Sequence, residues 1–507
     1  MPETYHYIKV RNGDSVAIQG IPVIPYREFF SEALFLLKAG ERHCAAYYAY
    51  PDEKGLHFIM VIADDASHEL LLMSHKMSHD APKELESLTL QIFALHIFER
   101  EIYENFGIVF LNHPWLKPVR YAFNRYHQEQ KLQDYPFYTI KSEELHEVGV
   151  GPVHAGIIEP GHFRFICNGE MVLHLEIQLG WQHRGVEQLL LDKKTMLQRN
   201  LLAENIAGDT AIGHSLAFAQ LMETLTGTEV SEQLQLERAI ALELERIAIH
   251  TGDISALCVD VAYHLGANVF GILRTGIINF MQSWCGNRLG KSMIRVGGTN
   301  APLTAALRDN LIKILEDFEK HFVEMVHVTY RLPSVQNRFD FAGKITEHQA
   351  RLVGTVGPSA RMINVPRDIR VSHPFAGFQR FPIEMDLREK GDVFSRFLLK
   401  RKEIALSIAW IRKVLEEFPF DFSNSEKPSE NPSLKANRFS VSLTEGWRGE
   451  ICHCAVTDDH GGLKHYKVKD PSMHNWKILE LSLRDLEISD FPINNKSYNL
   501  SYCGHDL

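Results

Sequence analysis

The sequence predicts an α+β fold: an N-terminal α/β module built on an antiparallel sheet, then a mainly helical domain with small flanking sheets. Three observations lead there. Near the start, the apolar runs Cys44–Tyr50, Leu56–Ile62 and Leu70–Met73 are parted by Pro51-Asp52-Glu53-Lys54-Gly55 and Asp64-Asp65-Ala66-Ser67, as in an antiparallel meander. From about 189 to 330 apolar residues recur with helical spacing. Near the end, Phe439–Leu443, Ile451–Val456 and Tyr466–Val468 return to strand character.

Taken in order, Ser15–Pro25 reads as a strand, and Tyr26–Ala39 sets Phe29, Phe30, Leu34 and Leu37 on one helix face. Leu85–Phe106 reads as one long amphipathic helix that Gly107 stops, with His113-Pro114 making a turn beyond it. Residues 126–148 are polar and weakly patterned, a connector. The expected division is therefore a domain over 1–125, a linker over 126–148 and a second domain over 149–507. In the second domain Gly169-Glu170 turns between strands, and Val230–Ala262 is a single long helix carrying Glu237, Arg238, Glu243, Glu245, Arg246 and His250. Gly271, Gly276 and Gly286 are expected to break the next helices, and Arg295–Asn300 to form a loop. Gly391-Asp392 opens a helix through Phe418, and residues 420–436, rich in Ser, Asn, Pro and Lys, read as a surface insertion. The last strands hinge on Glu445–Glu450, and a short helix near Asn475–Leu483 precedes the tail.

Composition narrows the function. Of 507 residues 45% are apolar and 23% charged, the balance of an ordered globular chain with more than one core. The net charge of −10 leaves no general nucleic-acid footprint. No apolar run reaches the roughly eighteen residues of a membrane span; the richest stretch, Ile247–Leu273, is interrupted by His250, Asp253, Asp260 and His264. Met1-Pro2-Glu3-Thr4-Tyr5-His6 shows no secretory signal. Seven scattered cysteines favour a reducing compartment. The close pair Cys452 and Cys454 would put both sulfurs on one face of a strand, where a metal or redox role is conceivable, although two ligands without a second pair rarely make a closed site.

Motifs then point to a family. Glu99-Arg100-Glu101, Phe106-Gly107-Ile108-Val109-Phe110 and His113-Pro114 follow the order of the small hydrophilic subunit of respiratory complex I, which this segment resembles. Gly151-Pro152-Val153-His154, Glu159-Pro160-Gly161-His162-Phe163-Arg164, His183-Arg184-Gly185-Val186-Glu187 and Glu245-Arg246-Ile247-Ala248-Ile249-His250 resemble the fused large subunit of energy-converting, formate-hydrogenlyase-type nickel–iron hydrogenases. Arg361, Arg367-Asp368-Ile369-Arg370 and His373-Pro374 match an internal loop of that family, which shares its fold with the quinone-side subunit of complex I. The resemblance implies a small module joined to a hydrogenase-large-subunit-like domain.

In those hydrogenases two Cys-x-x-Cys pairs hold the metal. The resemblance places them here on Ala207 and Thr210, and on Ser501 and Gly504. None of the four is a thiolate, and nickel requires soft sulfur ligands, so no metal and no cofactor are expected in this chain; Cys503, one position away, cannot replace four ligands. Hydrogenase precursors carry a tail beyond the last cysteine that maturation removes, and the sequence runs only to Leu507, which fits an expected lack of metal insertion. His154 stands where the complex I family places a histidine beside the quinone headgroup, while its partner tyrosine aligns near Gly208, which has no hydroxyl. Glu159, His162, Arg164, His183, Arg184, Glu187, Arg361, Arg367, Asp368 and Arg370 are expected, by the resemblance, to converge around this centre. They would act either as a structural ion-pair network or as a charge relay answering redox change in a neighbouring subunit. The resemblance further implies iron–sulfur clusters in partner subunits (an iron–sulfur small subunit and a ferredoxin-like subunit), antiporter-like membrane subunits, and a peripheral place on the cytoplasmic side of the membrane. The alternatives are reduction of a quinone or other acceptor near His154, and a non-catalytic assembly scaffold.

Overall fold

A computed structural model describes residues 6–156, 158–423 and 425–507. The first five residues, on which most of the reading of the N-terminus falls, lie outside the described residues, as do Ile157 and Asn424.

The N-terminal sheet has four antiparallel strands in the order Ile8–Val10, Glu69–Ser78, Gly55–Asp64 and Arg42–Asp52. Its three long strands are the predicted meander. Their apolar runs are nearly continuous because both faces are covered. Tyr47, Phe58, Met60 and Met73 pack with Phe29 and Phe98, which lie on the helices Tyr26–Leu37 and His96–Phe106. On the other face Ala46, Tyr48, Ile59, Val61 and Leu72 join the core of the rest of the chain.

Five long helices, Ala211–Thr226, Glu232–Asp260, His264–Cys285, Ala305–Arg331 and Val393–Glu417, make the body of the second part. Two sheets flank them. One runs Leu486–Glu487, Met171–Gln178, His162–Asn168, His146–Val150; the other runs Leu463–Lys469, Gly449–Thr457, Arg438–Gly446, Ser15–Ala17. The fourth strand of the latter comes from the N-terminal region, with Arg438 opposite Ala17 and Ser440 opposite Ser15. Among the described residues no helix is long and apolar enough to cross a membrane.

Four local expectations are corrected. Leu85–Phe106 is not one helix: a short strand at Glu84–Glu86 and 3-10 turns at Leu88–Leu90 and Phe93–Leu95 precede a helix that starts at His96. The Glu99 carboxylate is the cause. It takes the Leu88 N–H at 2.7 Å and the hydroxyls of Ser87 and Thr89 at 2.6 and 2.7 Å, drawing the chain out of helical pairing. The strand predicted over Ser15–Pro25 is only Ser15–Ala17, followed by a 3-10 turn. Gly271 and Gly276 sit inside one unbroken helix; Gly286, at φ 78°, is the residue that ends it. Arg295–Asn300 is a small hairpin, Ile294–Arg295 against Gly298–Thr299, rather than an open loop.

All three residues of the Glu99-Arg100-Glu101 triplet make buried structural contacts. Arg100 donates to the carbonyls of Lys117 and Pro118, both at 2.8 Å, while Glu101 pairs with Arg120 and with Lys467 of the C-terminal sheet.

Candidate functional site

The two stretches that the resemblance singles out lie side by side. Asn205–Thr210 runs into the helix Ala211–Thr226, whose first N–H groups are taken by Glu245 from the long helix, Ile212 at 2.8 Å and Gly213 at 3.3 Å. Ser501 caps the helix Tyr502–Asp506 by accepting the Gly504 N–H at 2.9 Å. Arg184 ties the stretches together, giving its terminal nitrogens to the carbonyls of Asn205, Ile206 and Cys503 at 2.6, 2.8 and 3.2 Å. Glu159 accepts the Cys503 N–H at 3.2 Å.

The four positions offer no ligand set for a nickel–iron group. Ala207 has no donor atom, and the Ser501 hydroxyl is used by its cap. The Thr210 hydroxyl accepts from Arg448 at 3.0 Å. That guanidinium also grips both oxygens of Asp209, at 2.5 and 2.7 Å, and the Asn499 carbonyl at 2.5 Å, and lies 3.9 Å over the Trp447 ring. Beside Gly504 the space is already taken: a Cβ there would stand 2.6 Å from the Asp470 carboxyl and 2.9 Å from the Ser501 hydroxyl. Asp470 is itself held, by His214 at 3.0 Å and by the Ser472 N–H at 2.8 Å. A buried cation and a buried carboxylate thus occupy the ground between the stretches.

Two buried chains of polar groups end here. In the first, Arg370 bridges Glu243 and Asp368 at 3.0 and 2.7 Å. Arg361 joins Asp368, Glu445 and Glu403 at 3.4, 2.8 and 2.5 Å, and Arg246 pairs with Glu243 at 3.2 Å. Glu403 meets His250 at 2.7 Å; His250 lies 3.9 Å from Asp253, which accepts from Asn499 at 2.6 Å. The Asn499 carbonyl then receives Arg448. At its core the three guanidiniums of Arg246, Arg361 and Arg370 face the four carboxylates of Glu243, Asp368, Glu403 and Glu445, all buried. Burial first, then Asp368, pushes the Glu445 carboxyl up to about 7, while the arginines hold Glu243, Asp368 and Glu403 below the ordinary carboxylate range.

The second chain is Tyr466, His453, His214 and Asp470. The Tyr466 hydroxyl meets His453 Nδ1 at 2.7 Å, His453 Nε2 meets His214 Nδ1 at 3.1 Å, and His214 Nε2 meets Asp470 at 3.0 Å. Burial, with His214 beside it, holds His453 well below the usual histidine range. With neutral rings each group donates to the next, from Tyr466 to Asp470.

The ten residues expected to converge do not form one network. Arg361, Asp368 and Arg370 share the first chain. Arg367 instead joins the two parts of the molecule, pairing with Asp65 at 2.5 Å and contacting His43. Arg184 and Glu159 brace the two stretches, and His183 binds the Asp506 carbonyl at 2.8 Å. Glu187 pairs with Lys467 at 3.0 Å. Arg164 pairs with Glu147 on the strands of the flanking sheet, and the neighbouring His162 packs against Phe137. His154 gives a ring nitrogen to the Gly161 carbonyl at 2.9 Å. Arg448, Asp470, Glu403 and the His214–His453 pair were missed; only the Glu445–Glu450 turn, which carries Arg448, gave a signal. Cys452 and Cys454 do face one side, sulfurs 3.7 Å apart and buried.

Glu245 marks the base of the site. Burial pushes its carboxyl up to about 8 against the two N–H groups that favour its charge. The folded chain therefore keeps this proton across the interval from 4.5 to about 8, and loses stability as pH rises through it. Glu245→Gln is expected to flatten that slope, so that its unfolding temperature falls less than the parent's as pH rises from about 5 to about 8. Thermal unfolding across this range checks it; a difference constant with pH refutes the assignment.

Comparison with known proteins agrees with this architecture. The respiratory-chain NADH dehydrogenase 30 Kd subunit family matches residues 27–132, and the 49 Kd subunit family matches residues 268–441. The chain fuses a 30 Kd-type module to a 49 Kd-type module. Formate hydrogenlyase subunit 5 of Escherichia coli K12 is 26% identical to the fused chain over 473 residues, spanning 89% of it and 80% of the relative. The carbon monoxide-induced hydrogenase of Rhodospirillum rubrum is 28% identical over 347 residues, 68% of the fused chain and 95% of the relative. The solved structure of the membrane-bound sulfane sulfur reductase, an archaeal respiratory membrane complex, contains a chain with the same fold: TM-score 0.66 at 19% identity, over 73% of the fused chain and all of the other. The signature at Glu99–Pro114 falls inside the 30 Kd match.

Proposed function

We propose that the fused chain is the peripheral large subunit of a membrane-bound, ion-translocating redox complex of the hydrogenase and NADH–quinone oxidoreductase type, working without a nickel–iron centre. Its buried ionic chain relays the electrostatic effect of electron transfer in a neighbouring iron–sulfur subunit toward a membrane arm. The names of its relatives, a formate hydrogenlyase subunit and a carbon monoxide-induced hydrogenase, support the class of complex. One observation carries the rest: where the hydrogenase ligands would converge, Arg448 and Asp470 stand instead, and Arg448 ends the line of buried polar groups that runs through Asn499, Asp253 and His250 to the arginine–carboxylate cluster. A charge arriving at that end changes the balance among the buried carboxylates and guanidiniums, of which Glu445 is the carboxyl held above its ordinary range. No cofactor resides in this chain; iron–sulfur clusters belong to an iron–sulfur small subunit and a ferredoxin-like subunit, with antiporter-like membrane subunits beyond them. The assembly sits on the cytoplasmic face. Residues 1–125 and 149–507 act as its two modules, joined by 126–148.

His154 and Gly208 give the acceptor-reducing alternative less support, since the imidazole is spent on a main-chain carbonyl and Gly208 brings no hydroxyl. The test uses the whole complex in sealed vesicles. Reduction of the iron–sulfur clusters is expected to drive ion uptake with no stoichiometric nickel present, and Glu403→Gln to abolish the uptake while the clusters still reduce. Stoichiometric nickel, or unchanged uptake in Glu403→Gln, overturns the proposal.

A further inference from the structure

Between the two modules lies a cavity of about 540 Å³, in the size range of small-molecule sites. Tyr48, Glu101 and Arg120 line it from the 30 Kd-type side; Arg184, Glu187 and Lys467 line it from the other.

Its polar wall is incompletely matched. Arg120 gives Nη1 to Glu101, but its Nε and Nη2, both buried, find no acceptor among the described residues. Those two nitrogens form the parallel edge with which a guanidinium grips a carboxylate or a phosphate by two bonds. Arg184 spends its terminal nitrogens on main-chain carbonyls, and its Nε also finds no acceptor among the described residues. Buried donors left so are disfavoured.

The charges of the wall answer one another, which leaves the open edge of Arg120 as the feature that recognises an anion. Arg120, Arg184 and Lys467 face the carboxylates Glu101 and Glu187 and the Leu507 terminus. Lys464, also on the wall, is answered by Asp52 at 2.7 Å. Burial lowers the pKa of His183 and takes His465 down to about 3, so neither ring alters the balance at neutral pH. The remaining wall includes Ile102, Phe123, Leu189 and the Tyr466 ring, apolar surface for the body of a ligand.

We propose that this cavity binds a small organic oxyanion, a carboxylate or phosphate monoester on a compact apolar body, gripped by the free edge of Arg120. The proposal stands apart from the redox role and fails separately from it.

Calorimetric titration of the purified fused chain tests it with three probes: 2-naphthoate, 1-naphthyl phosphate and the neutral 2-naphthalenemethanol. At least one oxyanion is expected to bind one per chain, about tenfold or more tighter than the alcohol, and more weakly as salt is raised. The tighter of the two anions assigns the headgroup. Gln188, exposed on the helix Val186–Asp192 and on the cavity wall, supplies variants that leave the buried charges alone. Gln188→Trp is expected to block binding, and Gln188→Glu to weaken the anions about tenfold without changing the alcohol. Unfolding temperatures near the parent's confirm that both variants fold. Failure of both anions to bind, equal affinity for the alcohol, or binding unchanged in both variants overturns the assignment.

Discussion

Arg361→Met is expected to destabilise the chain by about 3–5 kcal/mol, the cost of leaving buried carboxylates without their cation. The side chain is 1% exposed and holds Glu403, Glu445 and Asp368. Burial opposes its charge, yet the three carboxylates hold its pKa above the ordinary arginine value. A methionine fills much of the volume and supplies none of the charge. The loss should shrink in the double variant Arg361→Met with Glu403→Leu, because removing both partners removes the orphan. Urea unfolding of the parent, both single variants and the double variant measures this. Additive losses, or a loss below about 1 kcal/mol for Arg361→Met, would show that the cluster is not electrostatically coupled.

Arg448→Met is expected to cost about 3 kcal/mol and to loosen the two stretches rather than the whole domain. It removes two bonds to Asp209, one to Thr210, one to the Asn499 carbonyl, and the stacking on Trp447. Arg448→Lys should recover little, since an ammonium cannot span Asp209 and Asn499 together. Hydrogen exchange is the discriminating measurement: faster exchange at Ile212 and Gly213, whose N–H groups rest on Glu245, with the helix Val393–Glu417 unchanged. Full rescue by lysine would show that only the charge matters.

The sequence carried the helical body and the N-terminal meander because both obey simple periodicities, three apolar runs and one long helix over Glu232–Asp260. It did not carry the break before His96, which depends on Glu99 reaching back to Ser87–Thr89 across tertiary space. The site was half legible. The absent cysteines and the arginines of the 361–370 segment were visible as motifs, but their true partners, Glu243, Glu403 and Glu445, come from three separate elements. Asp470 and Arg448 were hidden for the same reason. Each is unremarkable in its own stretch, and only the fold sets them between Thr210 and Gly504.

The strand Ser15–Ala17 completes a sheet whose other members begin at Arg438, and the Arg438 guanidinium reaches Ser15 across 423 positions of chain. During synthesis that early segment therefore waits on the ribosome-bound chain for nearly its whole length before its partner emerges, a closure that slows assembly and favours chaperoned handling. Were the polypeptide divided between its two family matches, the same pairing would become strand donation from one piece to the other, a latch that the fused arrangement keeps within a single molecule.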